Sequence, residues 1–284
     1  MSPITYGLFG MFGIGVLNIL VSLLNRNNSA FKIGFLIQLG NALATLALFP
    51  ILYRENPGIQ VFIALAVAGI TGAIAFVFIN KAFKEGKASI NSPIISTWGM
   101  MTAILGFIIL NEDFYFAKGL SILLIVFGIF LSSIDVKTLL KTRSLKLIEG
   151  VKWSILAALN LGISFFIITY FASNNHWYSV SLITRFWTVL TYLVMAGTTR
   201  KPVISYFRNI PLLIFFAILV DVTSFLMMSV GYTTSEPGIV SVITSASPVV
   251  TIILSFLILK EKITKQQLFG VIVVVAGIIL LALN

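Results

Sequence analysis

Hydrophobic residues in this chain come in long unbroken runs, not in the short alternations that mark half-buried helices or strands. Ten such runs cover residues 3–24, 33–53, 59–83, 90–110, 117–134, 151–172, 177–198, 211–234, 238–259 and 267–283. Each is close to the roughly 20 apolar residues with which an α-helix crosses a hydrocarbon layer about 30 Å thick. The gaps hold turn formers and charges, as at Asn25 to Ser29, Arg54 to Gly58, Lys84 to Ser89, Asn111 to Asp113 and Glu236-Pro237-Gly238. Such residues suit connections at a membrane surface, so the pattern predicts an all-α integral membrane protein with ten transmembrane helices. The run that starts at Pro3 has no basic segment ahead of it and is long enough to span, so it reads as the first helix and not as a cleaved signal.

The longest connection divides the chain into a first unit, 1–134, a connecting segment, 135–150, and a second unit, 151–284. In the connecting segment Leu139, Leu140, Leu145, Leu147 and Ile148 are interleaved with Lys137, Lys141, Arg143 and Lys146. That pattern suits an amphipathic stretch lying on cytoplasmic headgroups. Sliding the second half over the first by 149 residues aligns Ser96 with Ser245, Thr102 with Thr251, Leu105 with Leu254, Phe107 with Phe256, Glu112 with Glu261 and Gly128 with Gly277. The units then each hold five helices, and an odd number forces the second unit into the membrane upside down. Two inverted five-helix repeats are the expected architecture, one in which a site between the halves can face either side in turn.

Charge adds an orientation. Arg54 and Lys118 alone fall on even-numbered connections and Arg185 falls within a helix, which leaves 16 of the 19 lysines and arginines on odd-numbered connections. The positive-inside rule places those connections in the cytoplasm and both chain ends outside, in a multi-pass protein of the cell (inner or plasma) membrane. Only 10% of residues are charged, against about 25% in soluble domains. The net charge of +10 is therefore read as topology and lipid contact, with no nucleic acid as partner. The chain has no cysteine and one histidine, His176, so neither thiol chemistry nor a metal cluster is expected, and no cofactor. No phosphate loop, HExxH helix or nucleophile elbow occurs, so an enzyme is not expected.

The second half carries Gly231-Tyr232, then Pro237-Gly238-Ile239, Ser247-Pro248-Val249, Leu259-Lys260-Glu261-Lys262, Gly270 and Gly277. The first half answers with Ala82, Ala88-Ser89, Glu112 and Gly128. In these features the chain resembles the drug/metabolite transporter superfamily, in particular its ten-helix EamA-type permeases. It departs from them where Trp98-Gly99 replaces a serine-proline or similar pair. The resemblance covers nearly the whole chain and implies transport of a solute, with relatives exporting amino acids, metabolites, drugs, nucleotide sugars or lipid-linked sugars.

Two charges fall well inside predicted helices, Arg185 in helix 7 and Asp221 in helix 8. Facing lipid, each costs a few kcal/mol or more, so each is expected in a cavity or beside a partner. Arg185 then suits an anionic group and Asp221 a cationic group or proton; the alternative is that they pair with each other. An offset of 147 residues lays helix 2 on helix 7 and puts Gln38 in the place of Arg185. Asn18, Asn41, Trp98, Asn160, Trp187, Tyr192 and Tyr232 are further candidates for the same lining, against an interhelical hydrogen bond or plain packing for each. Trp177 and Tyr178, beside His176, read as an interfacial aromatic belt. Pro93 and Pro248 each free a backbone carbonyl within a predicted helix and are hinge candidates.

The expected function is secondary transport of a small metabolite, amino-acid-like or drug-like, by alternating access and in the export direction. A proton or sodium gradient, exchange or downhill flow would drive it, in a monomer or homodimer. The alternatives are a lipid-linked sugar flippase, which needs a lateral opening and a basic headgroup site, and a non-transporting sensor or assembly protein, which needs a solid interior.

Overall fold

The structure is a computed structural model that describes residues 2–109, 115–133, 150–198, 203–234 and 236–283. Glu112 and nearly all of the 135–150 connecting segment lie outside the described residues. Helix α1, Pro3–Arg26, opens on Ser2, whose side chain accepts from the Thr5 amide. Ser29 caps α2, Ala30–Ala47, in the same way through Lys32. Helix α2 stops short of the predicted end because Pro50 cannot donate to the helix ladder, and a single turn, α3, Phe49–Leu52, follows. Next come α4, Ile59–Glu85, α5, Ala88–Ile95, α6, Trp98–Ile109, and α7, Phe116–Ser133. The second half contains α8, Val151–Asn174, α9, Trp177–Gly197, α10, Leu213–Gly231, α11, Pro237–Ser245, α12, Pro248–Leu254, and α13, Lys265–Ala282. A capping box between Thr264 and Gln267 begins α13.

Among the described residues seven stretches are long and apolar enough to cross a membrane: α1, α2, α4, α8, α9, α10 and Pro237–Leu259; Phe116–Ser132 and Lys265–Leu281 are shorter apolar helices. The distribution of side chains is the reverse of a soluble protein's. Phe12, Leu43, Ile63, Ile108, Phe215 and Leu257 face outward, while Asn25, Gln38, Asn41, Asn91, Arg185 and Asp221 are buried. An outer surface so continuously apolar is stable only against lipid. The chain is a multi-pass membrane protein.

The predicted fourth and ninth helices are each divided. Helix α5 ends at Ile95 and α6 begins at Trp98; α11 ends at Ser245 and α12 begins at Pro248. Both breaks are closed by tight i to i+3 bonds, Thr97 N to Ile94 O and Ser247 N to Thr244 O among them. Proline supplies the cause at the second break, where Pro248 opens α12 and donates nothing to the preceding turn; Pro93 lies inside α5, ahead of the first break. The breaks meet in the middle of the bundle, where the Ser96 and Ser247 hydroxyls lie 3.4 Å apart.

Packing between elements follows the order of the two halves. Helix α4 packs on α8 as α10 packs on α1, α9 packs on α4 as α2 packs on α10, and α6 meets α11 as α5 meets α12. Helices α2 and α9 pack on each other, and so do α7 and α13. Within these pairs, exchanging each element for the one at the same place in the other half returns another packed pair; α5 on α7 is an exception.

The α7/α13 seam depends on glycine. A Cβ on Gly270 would come within 2.6 Å of the Ser132 amide nitrogen and 2.7 Å of the Gly128 carbonyl oxygen, and neither backbone atom can swing aside. Lipid tails are as apolar as leucine, so such close backbone approach supplies much of the attraction between helices in a membrane. Gly270→Ala is expected to lower stability by about 1–3 kcal/mol, read as a lower unfolding midpoint of detergent-purified protein. Gly197→Ala, where a Cβ meets nothing within 4 Å, should leave the midpoint unchanged.

Candidate functional site

A cavity of about 70 Å³ lies at the centre of the bundle, with walls from both halves. It is large enough for several waters or a small solute. Helix α1 contributes Asn18, α2 Gln38, α4 Asn80, α6 Trp98, α8 Ser164 and Phe165, α9 Arg185 and α10 Asp221. Helical periodicity explains the positions on α9, where Thr184, Arg185 and Thr188 share the face turned inward while Phe186 and Leu190 face out.

Arg185 and Asp221 are brought together with partners from the other half. Arg185 Nη1 donates to Gln38 Oε1, and Asn41 Nδ2 donates to Asp221 Oδ2. Thr45 Oγ1 in turn holds the Asn41 amide oxygen at 3.2 Å. Arg185 Nη2 stands 4.0 Å from Asp221 Oδ2, an ion pair longer than a charge-assisted hydrogen bond. The guanidinium carbon sits 3.6 Å above the centre of the Phe225 ring, so the ring's negative face fixes the guanidinium plane. Gln38 and Arg185, the pair singled out by the 147-residue offset, are thus in direct contact.

The other sequence candidates divide. Asn18 lines the cavity, and its amide donates to Ser92 Oγ at 3.0 Å and Thr251 Oγ1 at 3.1 Å, tying α5 to α12. Trp98 lines the cavity stacked on Phe165, with ring centroids 4.3 Å apart. Asn41 reaches the site through Asp221. Tyr192 is fully buried among Phe31 and Phe35, with its hydroxyl resting against Gly34. Trp187 donates to the Phe62 carbonyl at 2.9 Å and packs between helices. Asn160 turns back to the Leu156 carbonyl at 2.9 Å, away from the cavity. Tyr232 is buried where α10 ends, in the apolar core. Tyr178 differs from the expected interfacial belt: it is fully buried and donates to the Thr45 carbonyl at 2.5 Å. The Thr45 carbonyl, in the last turn of α2, also accepts from the Leu48 amide at 3.1 Å, and its second lone pair draws the hydroxyl inward. Pro248 opens α12 directly after its break, whereas Pro93 lies inside α5, two residues before that helix ends.

Sequence reasoning passed over Asn80, which lines the cavity and accepts from Asn25 Nδ2 at 2.9 Å. Its position near the end of a long apolar run resembled a surface polar residue. It also undervalued the ties that join the two halves toward the ends of the bundle. At the lysine-rich end, Glu261 accepts from the Ala88 amide at 3.2 Å, the Ser89 amide at 3.1 Å and the Ser89 hydroxyl at 2.5 Å. The carboxylate thereby caps α5 of the other half. At the opposite end Lys118, in the first turn of α7, is buried in an ion pair with Glu236 at 2.7 Å. The backbone amide of His176 donates to Glu55 Oε1 at 2.7 Å at the same end. Outside the bundle, an apolar groove of about 390 Å³ between α2 and α9 also touches Arg185.

A cavity crossed by a buried pair of opposite charges, with both halves supplying its walls, is what a solute carrier requires. The EamA-like transporter family model matches residues 1–134 and 148–283. The chain belongs to the EamA-like transporter family. It is accordingly a membrane transporter of small solutes. A crystal structure whose title names only a protein shares the fold, with a TM-score of 0.68 and 13% identity over 98% of either chain. No curated protein matches the sequence.

In this EamA-like transporter the Arg185/Asp221 pair has a measurable signature. Removing one member of a buried pair strands the other and costs about 3–5 kcal/mol, whereas removing both is close to neutral. Arg185→Met is therefore expected to lower the unfolding midpoint sharply, and adding Asp221→Leu should restore most of the loss. The check is a double-mutant cycle of thermal melts.

Proposed function

We propose that this transporter carries a small solute across the cell membrane by alternating access through the central cavity, toward the outside. The observation that supports this best is the ion pair of Arg185 and Asp221, two opposite charges at the cavity whose partners Gln38 and Asn41 come from the other half. A site built this way changes its surroundings whenever the halves move against each other. In this reading residues 1–134 and 151–284 are inverted five-helix repeats, ten spanning helices in all. The match of one family model to each half and the exchangeable neighbours support it. The 16 cations on odd-numbered connections support a cytoplasmic position for those connections and an outside position for both chain ends.

The cross-half ties then act as two gates. The Glu261 cap on α5 shuts the lysine-rich end, and the Lys118–Glu236 pair shuts the other. No nucleotide motif is present, so the drive comes from a proton or sodium gradient, from exchange or from downhill flow. Asp221 is the residue placed to carry the coupling cation. A sensor or assembly protein gains nothing from the cavity. A lipid-linked sugar flippase has the groove between α2 and α9 in its favour, but it needs several cations for a diphosphate, and Arg185 is the only cation among the described cavity-lining residues.

The chain lacks cysteine, so introduced thiols report cleanly. Cross-linking Lys118→Cys to Glu236→Cys, or separately Ser89→Cys to Glu261→Cys, with a cleavable bifunctional reagent is expected to stop flux in proteoliposomes and to release it on cleavage. Flux that persists with either end locked would end the alternating-access reading. In the same vesicles, lumenal mass spectrometry of a metabolite mixture should show at least one solute responding to an imposed pH gradient. Asp221→Asn should abolish that response in vesicles matched for folded protein, since losing the pair with Arg185 also lowers the unfolding midpoint; an unaltered response removes Asp221 from the coupling step.

A further inference from the structure

Two hydrogen-bond donors in the central cavity have nothing to donate to. Arg185 Nε and Gln38 Nε2 are buried and have no hydrogen-bond partner among the described residues, and both side chains line the cavity. A buried donor left unsatisfied costs about 1–3 kcal/mol, so two on adjacent, mutually bonded side chains mark a place kept for an acceptor. The arginine's charge is also only partly used. Asp221 stands 4.0 Å from Nη2, outside the roughly 2.7–2.9 Å of a charge-assisted bond, and its Oδ2 already accepts from Asn41. Phe225 covers one face of the guanidinium.

We propose that Arg185 Nε and Gln38 Nε2 form a carboxylate subsite, and that the transported solute carries a carboxylate there. The inference rests on the transport reading given above. Each unpaired donor suits a carboxylate oxygen, and a guanidinium recognises that planar group better than a rounded one. A phosphate dianion asks for more positive charge than the single arginine in this cavity. Once an anion sits beside Arg185, Asp221 loses its counter-charge and is left for a cation, supplied by the solute or by the coupling proton. Water satisfies the donors too, but it makes no use of the charge.

The test uses the purified full chain in detergent, titrated with acetate and with acetamide, which has nearly the same shape and no charge. Acetate is expected to raise the unfolding midpoint by binding the native state and to change the emission of Trp98, which lines the cavity; Trp98→Phe assigns that emission. Acetamide should do neither. Gln38→Met removes the donor at nearly constant volume and should weaken acetate about tenfold. Gln38→Glu puts a carboxylate against Arg185 and should abolish the response; if one variant fails to fold, the other gives the answer. Equal shifts with acetate and acetamide, or a full acetate response in either Gln38 variant, would overturn the subsite. Proteoliposome flux separates the two readings. Carriage of neutral or cationic solutes without acetate binding leaves the transporter standing and removes the subsite. Acetate binding with the stated dependence, but no flux of any solute, does the reverse.

Discussion

An unpaired charge at the centre of a bilayer is so costly that the fold must be built around any it contains. Arg185 and Asp221 satisfy this constraint jointly, and not through their own helices. Gln38 and Asn41, both on α2, hold the two charges from the opposite half, and Phe225 holds the guanidinium plane. The interior remains hollow beside them, since a packed aliphatic filling would leave the donors and the carboxylate without polar neighbours. The same arrangement couples the halves: neither can shift without changing the surroundings of the pair.

Broken helices add a second constraint. Non-helical backbone at membrane depth is tolerated only where protein or a cavity satisfies it. Here each break closes its own backbone with i to i+3 bonds, and side chains tie the two together. Ser96 meets Ser247, and the amide of Asn18 joins Ser92 to Thr251. Within α5, the Ser89 carbonyl that Pro93 cannot bond accepts from Gln267 Nε2 at 3.4 Å. The two broken helices are thus joined at the cavity wall.

Around this polar centre the seams are made of small residues, and the closures of carboxylates. Glycine lets α7 and α13 touch backbone to backbone. Glu261 and Glu236 tie the halves together at opposite ends with charge-assisted bonds.

Much of this was legible in the chain itself. Long apolar runs declared helices in lipid, because no other solvent tolerates so much exposed leucine and phenylalanine. The 149-residue offset aligned Ser96 with Ser245, the serines beside the two helix breaks, and the 147-residue offset paired Gln38 with Arg185, which meet in the structure. Periodicity cannot say which polar side chain turns inward, and there the tertiary structure decided. Asn160 spends its amide on its own helix, Trp187 fills a helix contact, Tyr178 moves from an expected belt to the interior, and Asn80 enters the cavity unannounced. Solvent preference belongs to each residue and can be read one position at a time. Partnership across 147 or 173 residues, as in Gln38–Arg185 or Ala88–Glu261, exists only once the helices have packed.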